Sequence, residues 1–66
     1  MRLIITQHAR AQMFKRGIDE EQIKVAIMRG AKFKQTQGYL AVYTYIRITY
    51  LNLGEDTYKI KTVMVD

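Results

Sequence analysis

His8, Gln12 and Arg16 stand four residues apart, and on a helix that spacing lines them along one stripe, with Lys15 beside them. An imidazole titrates near neutrality and so can carry protons there. Guanidinium groups hold phosphate oxygens. The chemistry this combination fits is metal-free attack of an RNA 2'-hydroxyl on its own phosphodiester, which takes one base, one acid and cations around the developing phosphorane. His8, or a tyrosine such as Tyr43 or Tyr45, is the expected proton carrier, and Arg10, Arg16, Arg47 and the lysines supply positive charge. The expected catalytic set is His8, Arg16 and Arg47. The chain has one histidine, so a two-histidine mechanism is impossible, and a lone histidine near a helix start is more often a polar surface or capping residue than a catalyst.

Other chemistries fall away on composition. Cysteine and serine are absent, which removes thiol and serine nucleophiles, disulfides and zinc ribbons together. No glycine-rich loop precedes a helix to cradle nucleotide phosphates. The acids fall in two clumps, Asp19 to Glu21 and Glu55 with Asp56, plus Asp66. Helix-start charges and a turn explain them better than a carboxylate pair or a metal site does. No metal and no cofactor is expected.

Eleven Lys and Arg against six Asp and Glu give a formal net charge of +5. From Gln22 to Gly54 the cations Lys24, Arg29, Lys32, Lys34 and Arg47 meet no acid. Such a field favours a polyanion, although excess charge also keeps small domains soluble.

The elements that must position these groups are signed by caps and periodicity. After a short apolar start at Leu3 to Ile5, Thr6 caps a first helix running through His8, Ala9, Ala11, Met13 and Phe14, and Gly17 ends it in a left-handed conformation. Ala9 and Met13 turn toward the core, and Phe14 fits this face poorly. Asp19 opens a second helix with Gln22 as its capping-box partner and Ile18 stapled on Ile23. Ile23, Ala26 and Ile27 form its buried stripe before Gly30 stops it. From Ala31 onward Thr, Tyr, Val and Ile alternate as in strands with one buried face. Turns at Gln37-Gly38 and Gly54-Glu55-Asp56 divide strands near 32–37, 39–53 and 57–64, and the long middle segment breaks or bends near Tyr45 to Arg47.

Successive strand residues face opposite sides, so Leu40, Val42, Ile46 and Ile48 are expected on one face with Phe33, Tyr58 and Ile60. The other face then collects Lys32, Lys34, Tyr43, Tyr45, Arg47, Lys59 and Lys61. This set is the expected nucleic-acid surface: cations hold phosphates and unstacked bases lie on tyrosine rings. The alternative is that the lysines blunt strand edges and the tyrosines pair across strands. The expected fold class is α+β, with two N-terminal helices packed on one face of a three- to four-stranded antiparallel sheet.

The 66 residues suit one domain, 1–66, with 48% apolar and 26% charged residues, a composition that folds. No run approaches the roughly 20 apolar residues of a spanning helix. The start of the chain lacks a secretory signal, so the expected compartment is the cytoplasm and no membrane partner is expected.

The string His8-Ala9-Arg10-Ala11-Gln12-Met13-Phe14-Lys15-Arg16-Gly17-Ile18, followed by Asp19-Glu20-Glu21-Gln22-Ile23 and closed by Ile60-Lys61-Thr62-Val63-Met64, resembles a group of small uncharacterised bacterial and archaeal domains. These open with His-Ala, carry Arg-Gly-Ile-Ser/Asp nine to twelve residues on, and are grouped with RelE-like and BrnT-like toxins. The likeness spans nearly the whole chain. It implies a RelE-like fold, RNA or the ribosome as partner, endoribonuclease activity on mRNA, and a small acidic antitoxin. The family usually has arginine where this chain has Gln12, which leaves His8 and Arg16 as the matching members of the stripe. Two readings without catalysis remain beside the toxin: a plain nucleic-acid-binding module on the same surface, and a homodimeric interaction domain joined through its tyrosines.

Overall fold

The computed structural model describes residues 1–66. The chain runs β1 (Arg2–Ile5), α1 (Gln7–Arg16), α2 (Glu20–Arg29), β2 (Ala31–Lys34), β3 (Tyr39–Tyr43), β4 (Ile46–Gly54) and β5 (Thr57–Val65). Both helices start and stop where their caps dictate. Thr6 accepts a hydrogen bond from the Ala9 N–H, and Gly17 sits at φ 67°, a left-handed value that glycine adopts without strain. Asp19 and Gln22 complete a reciprocal capping box, which satisfies two of the donors a helix start leaves orphaned.

The strands form one five-stranded sheet in the order β1-β5-β4-β3-β2. Strands β2 to β5 are antiparallel neighbours, but β1 lies parallel to β5, with Leu3 opposite Tyr58 and Ile5 opposite Ile60. The expected three- to four-stranded antiparallel sheet is therefore corrected to a mixed sheet of five strands. The reason is local. Four residues of β1 carry too little periodicity to separate a strand from a lead-in, and their partner lies at the far end of the chain. The fold remains α+β.

Facing residues show a second correction. The break in the long middle segment is a tight turn at Thr44-Tyr45, and Tyr43 stands directly opposite Ile46. A two-residue turn moves the alternation by one position. Odd-numbered residues of β3 therefore share a face with even-numbered residues of β4. Tyr39, Ala41 and Tyr43 turn to the helices with Ile46, Ile48 and Tyr50, while Leu40 and Val42 turn away with Thr49 and Arg47. Pairing of Lys32 with Ala41 and Phe33 with Leu40 places the β2 lysines on the helix side and Phe33 on the other, the reverse of the expected order.

Both helices pack on one face, α1 over β5 and α2 over β3 and β4. The core joins Ala9, Met13, Ile18, Ile23, Ala26 and Ile27 to Ala41, Ile46, Ile48, Tyr50, Ile60 and Val63. Nothing covers the opposite face. No helix is long and apolar enough to cross a membrane.

The N-cap and second turn of α1 also close an exposed edge. β1 ends opposite Ile60, so the rest of β5 has no strand on that side. Thr6 donates its N–H to the Ile60 carbonyl, and the Val63 N–H donates to Gln12 Oε1 at 2.8 Å. Gln12 is thus a scaffold residue, and an arginine here, which has donors only, cannot accept that bond. Replacing Gln12 with Leu leaves a donor on buried Val63 unsatisfied and is expected to cost about 1–3 kcal/mol. Urea unfolding measures it, with His8→Ala as an exposed neighbour expected to change stability by less than about 0.5 kcal/mol.

Candidate nucleic-acid interface

The open face is built from the outward positions of all five strands. Arg2 and Ile4 of β1 alternate with half-buried Leu3 and Ile5, and their partners Thr57 and Lys59 carry this face onto β5. A β-bulge at Lys61 interrupts the β4–β5 pairing between Thr49–Thr62 and Tyr50–Ile60. Ile60 and Val63 are both buried, so the two intervening residues, Lys61 and Thr62, both turn to the open side. The Lys61 ammonium donates to the Gln37 carbonyl at 2.9 Å, which carries its charge over β4 toward the β2–β3 connection. Arg47 lies on the same face and pairs with Asp66 at 2.9 Å. Thr49 and Thr62 join hydroxyls across the middle strands.

Arg47, Lys59 and Lys61 of the expected surface are therefore gathered on one face, and the structure adds Arg2, which sequence reading missed. Finding Arg2 required the parallel β1–β5 register. Around these cations stand Leu40, Val42, Leu51, Met64 and Phe33, the last 53% exposed. Phe33 is the only aromatic ring that the register places there.

The other expected members lie elsewhere. Lys32 and Lys34 are on the helix side of edge strand β2, and the Lys32 ammonium caps the Met28 carbonyl at the end of α2. Their position matches the edge-guarding alternative. Tyr43 is half-buried beside the helices and Tyr45 is in the turn. On the helix side, Tyr50 stacks on Tyr39 with centroids 5.8 Å apart and meets Tyr58 edge-on at 5.7 Å, the cross-strand aromatic pairing that stabilises sheets. Burial, and then the neighbouring phenols of Tyr58 and Tyr39, push the Tyr50 hydroxyl above its ordinary pKa.

The expected catalytic residues are not brought together. His8 and Arg16 are exposed on α1, in the helical layer, whereas Arg47 is on the far side of the sheet and held by Asp66. His8 makes no side-chain hydrogen bond or ion pair. Phe14, which fitted the helix face poorly, is 90% exposed. No three His, Asp or Glu side chains cluster as metal ligands would.

These features define a small α+β domain in which a helix pair covers one face of a mixed sheet and leaves the other face open and basic. The chain belongs to a family described as a domain of unknown function, DUF4258, whose model matches residues 5–65. No curated protein and no solved structure matches it.

Proposed function

We propose that this chain is an RNA-binding domain that holds single-stranded RNA against its open sheet face. The observation that carries the reading is the collection of Arg2, Arg47, Lys59 and Lys61 on one face, where Arg47 alone is ion-paired, to Asp66. The cations take phosphates, and the apolar strip with Phe33 takes unstacked bases. An open sheet face suits a splayed single strand better than a duplex groove, because it presents no element that projects into one. The resemblance to RelE-like and BrnT-like toxins is the ground for naming RNA and for an acidic antitoxin as a second partner.

Binding is proposed here in preference to cleavage, because His8 and Arg16 are separated from Arg47 by the thickness of the sheet. Incubation with RNA in excess EDTA is expected to leave the message intact. Discrete cleavage lost in His8→Ala would restore the catalytic reading instead.

The test of binding is fluorescence anisotropy of a labelled single-stranded RNA across salt concentrations. Each phosphate contact contributes about 0.7 to the slope of log affinity against log salt. Arg2→Ala and Lys59→Ala are each expected to lower that slope by about this amount, whereas Lys34→Ala on the other side leaves it unchanged. An unaltered slope in the Arg2→Ala, Lys59→Ala double variant would remove the open face from the proposal.

A further inference from the structure

The molecule has one cleft, of about 200 Å³, lined by Glu21, Gln22 and Val25 of α2 and by Tyr43, Thr44, Tyr45 and Ile46 around the β3–β4 turn. It lies on the helix side, away from the open sheet face. We propose that this cleft is a recognition site for an arginine side chain presented by a partner protein.

Three observations lead there. The first is charge. Glu21 has no ion-pair partner, whereas its neighbour Glu20 faces Arg10 at 3.8 Å, and no Lys or Arg lines the cleft. The nearest cation along the helix, Lys24, is one turn on and unpaired with Glu21.

The second is the pair of rings. The molecule's aromatic contacts join Tyr39, Tyr50 and Tyr58, so no other ring stacks on Tyr43 or Tyr45. Tyr45 is 53% exposed. Ring faces attract cations, and guanidinium, being planar and weakly hydrated, stacks on them better than ammonium does. The third is size. Ligand pockets for small molecules usually run from about 300 Å³ upward, so this cleft accepts a side chain rather than a cofactor. Val25 and Ile46 supply the apolar wall for its methylene stem.

The turn supports this arrangement. Thr44 takes φ 54°, an uncommon value for a residue with a Cβ, in a two-residue turn that holds Tyr45 at the bend, between Tyr43 and Ile46 of the two paired strands.

The experiment titrates the whole chain with N-acetyl-arginine amide and follows backbone amide shifts by NMR. Shifts confined to Gln22, Val25 and Tyr43 to Ile46 are expected, with Kd of about 1 mM for a ligand of this size. The neutral isostere N-acetyl-citrulline amide is expected to bind at least about fivefold more weakly. Glu21→Gln should weaken arginine binding about five- to tenfold, and Tyr45→Leu, which keeps the apolar contact but removes the ring face, about threefold. Glu21 is exposed in a first helical turn, so the fold of Glu21→Gln is checked by its unchanged dispersion of amide signals. Equal binding of the citrulline analogue, unchanged affinity in Glu21→Gln, or no shifts at these residues by about 20 mM ligand would each overturn the assignment. RNA binding on the opposite face stands or falls separately.

Discussion

Replacing Gly38 with alanine is expected to destabilise the domain by about 2–5 kcal/mol. Gly38 holds φ 94°, a value that costs a residue with a Cβ about 1–2 kcal/mol. Space is lacking as well. An added Cβ would run into the Tyr50 carbonyl oxygen and come within 2.9 Å of Leu51 Cδ2, and overpacking against a fixed backbone typically costs about 1–3 kcal/mol more. The obstructing atoms belong to β4, which is hydrogen-bonded on both sides and has little room to retreat. A domain of 66 residues has a total stability of roughly 3–10 kcal/mol, so the substitution removes a large share of it. Thermal unfolding is expected to show a midpoint lower by at least about 8 °C. A fall smaller than about 4 °C would mean that the β2–β3 connection moves aside, and the Lys61 bond to Gln37 would then be too loose to fix charge on the open face.

The helices were legible because their signals are local. Thr6, Gly17, Asp19, Gln22 and Gly30 each act within four residues of themselves, and the structure uses each as a cap. The sheet was only partly legible because alternation carries a face assignment only between turns of known length. Reading Tyr43, Tyr45 and Arg47 as one run put them together, but a two-residue turn at Thr44-Tyr45 turned Tyr43 to the helices and Arg47 away from them. The same one-position shift misplaced Lys32, Lys34 and Phe33, whose side follows from pairing with β3. Positions in β5 were read on the correct sides, since Tyr58 and Ile60 anchor that strand without an intervening turn. Arg2 and Gln12 could not have been found this way. Their roles come from contacts with Thr57 and Val63, more than fifty residues along the chain, and no spacing rule reaches that far.

The adjacent residues Lys59 and Ile60 separate the fold from the proposed activity, because one strand sends them to opposite faces. Ile60 is fully buried between Ile5 of β1 and Tyr50 of β4. Ile60→Ala removes apolar contact and leaves a cavity that fixed neighbouring strands cannot close, at a cost of about 2–5 kcal/mol. At roughly 3–10 kcal/mol of total stability, this variant is expected to be partly unfolded at 37 °C and to show a much lower midpoint in urea. Lys59 is exposed on the open face. Lys59→Ala is expected to keep the urea midpoint, with stability changed by less than about 0.5 kcal/mol, while lowering the salt slope of RNA binding. The contrast between neighbours is the informative measurement. If Lys59→Ala also unfolds the domain, β5 does not alternate as described and the basic face is not free for a ligand. If Ile60→Ala keeps its midpoint, the strand that joins β1 to the sheet is not in the core, and the parallel β1–β5 pairing that puts Arg2 on the same face as Lys59 is lost with it.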